Sequence, residues 1–342
     1  MKQVKTFAGG HDDFVHDVAY DHNGKRLATC SSDHAIKVWS EDGSGMWRCD
    51  AELKGHVSAV WKLAWAHPEF GQVIASCSFD QHIHIWEELD TPVSKMQTGG
   101  KAAAGANGSN GSAAAGDAPG GNVDVLSTWN QSTVLKGDNR ESVNDMQFAP
   151  RHFGLQLATC STDGIVRIFA PDDVMNLSLW TMGEKFDATR GLSKTEATSL
   201  SWNQSRFDQQ MIVVGTTSQV VVWTKNEDLR RWEVLADLPM HSERAINDVC
   251  WAPNLGRSYH LIAAAASNSE SVEIWKLSKN HETNAFSAVE HDATLTSRSE
   301  VWRCEWNVTG TVLATSGDDG HIRLWRKSFN NEWGMIAEEG IG

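Results

Sequence analysis

Leu27-Ala28-Thr29-Cys30-Ser31-Ser32-Asp33-His34-Ala35-Ile36-Lys37-Val38-Trp39 is the unit from which the chain is built. Two short apolar runs flank a polar, turn-prone centre. In Ile36-Lys37-Val38-Trp39 the aliphatics stand two residues apart, so both fall on one face of a strand. The same ending recurs as Ile83-His84-Ile85-Trp86, Val166-Arg167-Ile168-Phe169, Val220-Val221-Val222-Trp223, Val272-Glu273-Ile274-Trp275 and Ile322-Arg323-Leu324-Trp325. The closing aromatics lie 47, 83, 54, 52 and 50 residues apart. A strand-built period of that size predicts an all-β fold, a β-propeller of six blades.

The repeat extends upstream. Leu27–Ser31, Ile74-Ala75-Ser76-Cys77-Ser78 and Leu157-Ala158-Thr159-Cys160-Ser161 form a preceding strand, with weaker versions at residues 212–214, 261–264 and 312–315. Before it comes a strand with two same-face residues ending in an aromatic or its neighbour: Val18/Tyr20, Leu63/Trp65, Met146/Phe148, Leu200/Trp202, Val249/Trp251 and Cys304/Trp306. An outer strand fills the segment to the next repeat, most clearly at Ala51-Glu52-Leu53. Four strands per repeat is the blade of a WD-repeat propeller.

Asp33, Asp80, Asp163 and Asp319 each stand six residues before the closing aromatic. A carboxylate there can accept backbone N–H groups of a tight turn. His11 and His56, each after a glycine, are placed to bond the turn aspartate of their own blade. Blades four and five have Thr217 and Ser269 instead, blade three has Gly137-Asp138 for Gly-His, and His291 lies too far upstream. Blades three to six are therefore expected to be less regular and less tightly pinned.

The repeats span nearly all 342 residues, so residues 1–342 are expected to form one domain. A net charge of −14 disfavours a general nucleic-acid or anionic-membrane surface. Apolar runs fall short of the ~20 residues of a membrane helix. Met1 to His11 lacks a signal-peptide core, and the expectation is an intracellular chain. Cys30, Cys77 and Cys160 occupy one repeated strand position, which suits buried thiols rather than disulfides. Residues 93–128, rich in Gly, Ala, Ser and Asn, are expected to form a disordered loop inserted between blades two and three. That loop lacks the Gly-Lys-Ser/Thr ending of a phosphate-binding loop.

Little in the chain reads as catalytic. The turn aspartates belong to different blades, too far apart for paired acid–base work. His82 and His84 could share a metal, but the equivalents of His84 are Lys37, Arg167 and Arg323, which reads as a solvated face. The 16 tryptophans fall mainly in or beside the repeated strands, as core. Nucleophile-elbow and zinc-hydrolase motifs do not occur. No cofactor, metal or catalytic residue is expected, and an enzyme is the losing reading.

Gln3-Val4-Lys5-Thr6-Phe7 reads as an outer strand, and Glu332–Ala337 reads as the fourth strand of blade six. If both form, blade six is complete and the first strand has no place. Two blade edges then stay open to strand addition from another chain.

Trp65-Ala66-His67-Pro68-Glu69-Phe70-Gly71, Asp163-Gly164-Ile165-Val166-Arg167-Ile168, Pro171–Ser178 and Ala252–Ser258 resemble the Sec-thirteen-homologue WD-repeat nucleoporins across nearly the whole chain. The departures are the 93–128 insertion and the loops around 203–210 and 279–298. The resemblance implies an open six-bladed propeller completed by a seventh blade from an α-helical scaffold nucleoporin of the Nup-eighty-five type. It implies membership of the Y-complex at the nuclear pore, in mRNA and protein transport. It also implies a role in the SEA/GATOR complex at the vacuolar or lysosomal surface, in nutrient (TOR) signalling. The contact zone it suggests is Val4, Lys5, Thr6 and Phe7, with Val18 and Tyr20 in blade one and Trp302 and Trp306 in blade six. The alternatives are a freestanding adaptor for short peptides or a COPII-coat-like subunit.

Overall fold

The residue after each turn aspartate shows why these repeats fold as antiparallel meanders. His34, Gln81, Gly164 and Gly320 all have left-handed backbone, with φ of 68°, 69°, 77° and 65°. The aspartate holds that turn by accepting backbone N–H groups, as Asp33 Oδ1 does from Ala35 at 2.9 Å and Asp80 Oδ1 from His82 at 2.9 Å. Glycine in two of the four positions removes the steric cost of the turn.

The protein is described by a computed structural model for residues 10–89, 128–135, 141–192, 195–240, 244–279 and 286–340. It has six antiparallel sheets of four strands each. Blade one is Val15–Tyr20, Arg26–Ser31, Ala35–Glu41 and Trp47–Lys54. Blade two is Val60–Trp65, Val73–Ser78, Ile83–Leu89 and Thr128–Leu135. Blade three is Val143–Phe148, Leu157–Ser161, Ile165–Asp173 and Asn176–Asp187. Blade four is Ala197–Trp202, Met211–Thr216, Val220–Asn226 and Arg231–Leu238. Blade five is Ile246–Trp251, Tyr259–Ala266, Ser271–Lys279 and Phe286–Thr296. Blade six is Val301–Trp306, Val312–Gly317, His321–Lys327 and Trp333–Gly340. The fold is therefore an all-β, six-bladed propeller. Blade six is complete with its own fourth strand. The Val4–Phe7 strand lies outside the described residues, and so does the 93–128 segment, except that Thr128 begins the last strand of blade two.

The core lies between blades. Ala28, Ile36 and Val38 of blade one pack on Val60, Leu63 and Trp86 of blade two. Similar clusters join blades two and three, three and four, four and five, and five and six. Each is built from the same-face aliphatics of one blade and the first-strand residues of the next. Gly215 of blade four stands where blades one to three have cysteine; a Cβ there would meet Ile246 Cγ2 of blade five at 2.7 Å. The neighbour's bulk explains the residue. The cysteines at that position, Cys30, Cys77 and Cys160, are buried free thiols.

A bulge recurs in each first strand. The register slips at His16, Trp61, Asn144, Thr198, Asn247 and Trp302. In blades three and five the extra residue reaches the next blade: Asn144 Nδ2 donates to Ala197 O at 2.8 Å, and Asn247 Nδ2 to Val301 O at 3.0 Å.

Candidate functional site

Each blade docks on the one before it through its first strand. Leu63 N–H donates to Asp17 Oδ2 at 2.9 Å, Leu200 N–H to Asp145 Oδ2 at 2.9 Å, Val249 N–H to Ser199 Oγ at 3.2 Å and Cys304 N–H to Asp248 Oδ2 at 2.9 Å. Two positions on, the aromatic ring reaches back as well. The indoles of Trp65, Trp202 and Trp306 donate to Ala19 O, Gln147 O and Cys250 O at 3.0, 3.2 and 3.2 Å. The series joins blades one to two, three to four, four to five and five to six; between blades two and three Lys62 stands in the acceptor's place and Met146 N–H donates to Asp145 Oδ1 of its own blade at 2.9 Å.

Blade one has no such predecessor. Val18 pairs with Thr29 in the register that gives Leu63, Met146, Leu200, Val249 and Cys304 their places. Those five are 2–5% exposed, whereas Val18 is 51% exposed. Val15 is 45% exposed, while its equivalents Val60, Val143, Ala197, Ile246 and Val301 are at most 2% exposed. Tyr20 is 59% exposed and, among the described residues, meets one aromatic ring, Trp47, edge-on at 6.1 Å. The far side of the gap shows the complementary loss. Ile322 of blade six is 37% exposed; Ile36, Ile83, Val166, Val220 and Val272 are buried. Ala314 and Leu324 beside it are half-buried. Among the described residues, the five inter-blade clusters leave the junction between blades six and one without one. The result is two apolar faces, one on each side of an open edge.

Val18 and Tyr20 line that edge. Trp302 is the bulge residue of blade six; it is half-exposed and its indole N–H donates to Asp318 Oδ1. Trp306 does not face the gap. It is buried against blade five, because the aromatic at this position always points to the preceding blade. Val4, Lys5, Thr6 and Phe7 lie outside the described residues. Val15 and Ile322 escaped the sequence reading. Both are ordinary members of the repeat, and the signal would have been to ask which repeat face has no successor.

The turns are pinned in two ways. His11 Nδ1 lies 2.9 Å from Asp33 Oδ2 and its Nε2 2.8 Å from Thr29 Oγ1; His56 repeats this with Asp80 at 2.9 Å and Ser76 Oγ at 2.8 Å. Burial alone would raise the Asp33 carboxyl, but N–H groups of Ala35 and Asp12 and the His11 ring hold it down to about 2. Blades three and six are not loose, contrary to expectation. Arg167 Nη2 donates to Asp163 Oδ2 at 2.6 Å, and Arg323 does the same to Asp319 while its Nε donates to Glu338 Oε1 at 2.9 Å. An arginine on the third strand replaces the upstream histidine. The face that carries His84, Arg167 and Arg323 is buried, not solvated, since each is at most 4% exposed. It lies between blades; Arg167 and Arg323 are paired there with turn aspartates, while His84 packs by stacking on His56 and its Nδ1 accepts no hydrogen bond.

His82 and His84 do not converge on a metal site. His84 stacks on His56 instead, with ring centroids 3.8 Å apart and planes 16° from parallel. His56, Asp80 and His84 bring ligand atoms within 4.8 Å of one another. Lone pairs of nearly parallel, stacked rings point along parallel lines and share no common apex, and both His56 nitrogens are already bonded. Burial, then the neighbouring His56, lowers the His84 ring to about 4, so it is neutral at physiological pH.

At the disc axis the first strands present Asp17, Lys62, Asp145, Ser199, Asp248 and Arg303, one per blade. Asp17, Lys62, Asp145, Asp248 and Arg303 border a cavity of about 1200 Å³. The repeat pattern did not expose this polar row, because its members differ in charge. Its oxygens act as acceptors for neighbouring blades, and Lys62 Nζ lies 3.6 Å from Asp145 Oδ1.

Comparison with known proteins matches the family WD domain, G-beta repeat, at residues 1–40, 47–87, 129–169 and 290–326. The chain is 38% identical to Nucleoporin SEH1 of Osmerus mordax over 99% of its own length and 88% of that protein's. It is also 38% identical to Nucleoporin SEH1 of Homo sapiens over 97% of its length and 87% of the relative's, and to Nucleoporin SEH1-A of Xenopus laevis over 98% and 88%. The chain belongs to the SEH1 nucleoporin family. Among solved structures, a chain of "Crystal Structure of Mitotic Checkpoint Complex" aligns with a TM-score of 0.60 at 16% identity, covering 92% of this chain and 74% of that one, which speaks to the propeller fold alone. No helix among the described residues is long and apolar enough to cross a membrane.

Proposed function

We propose that this SEH1-family chain is a non-enzymatic scaffold subunit of the nuclear pore Y-complex that accepts a blade from an α-helical nucleoporin of the Nup-eighty-five type. The observation that carries this reading is Val18: 51% exposed where five register equivalents are 2–5% exposed. A blade sliding into the gap would cover Val15, Val18 and Tyr20 on one side and Ala314, Ile322 and Leu324 on the other. It would also complete the series of backbone-to-side-chain bonds around the disc. Apolar burial at ~25 cal/mol per Å² over two blade faces favours a long-lived complex. A freestanding adaptor would leave both faces to water, at the cost of self-association. Membership of the SEA/GATOR complex at the vacuolar or lysosomal surface would use the same edge, so one molecule would serve one assembly at a time.

Co-expression tests this directly. Alone, the chain is expected to self-associate or precipitate. With the helical nucleoporin it is expected to elute from size exclusion as a stable one-to-one complex. A monodisperse monomer that ignores the helical protein would contradict the reading.

A further inference from the structure

The polar row at the disc axis stops at the gap on both sides, at Arg303 of blade six and at the first strand of blade one. In the closed junctions one carboxylate serves two neighbours. Asp145 lies 3.6 Å from Lys62 Nζ of the preceding blade, and it accepts Leu200 N–H of the following blade at 2.9 Å. Asp248 accepts the Ser199 hydroxyl of the preceding blade at 2.8 Å and Cys304 N–H of the following one at 2.9 Å. Arg303 of blade six stands where blade two has Lys62, and its nearest carboxylate, Asp248, is 4.0 Å away on the side of blade five. Val18, the register equivalent of Leu200 and Cys304, has no preceding blade among the described residues to supply an acceptor.

We infer that the innermost strand of the incoming blade carries an aspartate, followed by an apolar residue and, three positions after the aspartate, a tryptophan. This rests on the blade-acceptor reading and names what the partner must present. The carboxylate sits between the Arg303 guanidinium and the Val18 N–H, as Asp145 sits between Lys62 and Leu200. The apolar residue enters the slot that Leu63 or Leu200 fills elsewhere. The indole N–H donates to Glu305 O, as Trp306 does to Cys250 O. Blade five shows both residues in one strand, Asp248-Val249-Cys250-Trp251, and Asp17 and Asp145 carry the aspartate in blades one and three. A cation left unpaired in a sealed junction is costly, so Arg303 selects against a strand with lysine or leucine at that position.

The test uses the complex of the full chain with the helical nucleoporin. Arg303→Glu is expected to weaken capture by roughly tenfold or more. Arg303→Lys, which copies blade two, is expected to retain it, and both variants should keep the wild-type circular dichroism spectrum. Undiminished capture by Arg303→Glu overturns the inference while leaving blade acceptance intact, and so does equal loss in both variants. Failure of the wild-type chain to capture the helical protein takes down the blade-acceptor reading, and this inference with it.

Discussion

Replacing Val18 and Tyr20 together by aspartate is expected to leave the isolated chain folded and to abolish capture of the helical nucleoporin. Both side chains are more than half exposed in the isolated disc, so their carboxylates stay hydrated and the fold is little affected. In the complex the same two carboxylates would be sealed between apolar blades, and an unpaired buried charge costs several kcal/mol. Binding should therefore weaken by roughly a hundredfold or more. The control is Leu200→Asp. It occupies the register position of Val18 in blade four but is 3% exposed against blade three, so there the substitution should unfold the chain without any partner. Circular dichroism with pull-down separates the two outcomes. Loss of fold in the Val18 and Tyr20 variant would mean that the chain already closes over that face.

Trp202→Ala is expected to cost about 3–5 kcal/mol of stability, read as a shift in the denaturant midpoint. The ring is 0% exposed, wedged between blades three and four, and donates its indole N–H to Gln147 O at 3.2 Å. It also meets Trp232 edge-on at 6.0 Å. Truncation leaves a cavity and an unpaired carbonyl at a junction with no freedom to collapse. Tyr20→Ala, at the same repeat position in blade one, should change stability by about 0.5 kcal/mol or less. A similar cost at both positions would show that the two junctions are equally sealed.

The contrast between Val18 and Leu200 also shows what a sequence can and cannot say. Ile36-Lys37-Val38-Trp39 and its copies declare strands because a period of two survives any tertiary context. The spacing of the closing aromatics declares blades for the same reason. The turn aspartates were legible through their fixed distance from those aromatics. Arg167 and Arg323 were not, since their role depends on which face of the third strand is buried, and a lone basic residue within a strand looks solvated. Trp306 entered the contact zone only as a member of blade six, whereas its direction is set by the preceding blade. The charged row from Asp17 to Arg303 was hidden by its variety. Position, not residue type, unites it. The surplus strand expected at Val4–Phe7 lies outside the described residues, so openness rests on the exposed faces of Val15 and Ile322.

The most direct measurement is thiol labelling of Val18→Cys in a Cys49→Ser background, since Cys49 is the exposed native cysteine. At a dilution that keeps the isolated chain monomeric, an open edge lets the new thiol react with a maleimide at close to the rate of a free cysteine, and the thiol becomes protected when the helical nucleoporin binds. Protection in the isolated chain equal to that of Leu63→Cys would mean the disc seals itself, and the account would be wrong.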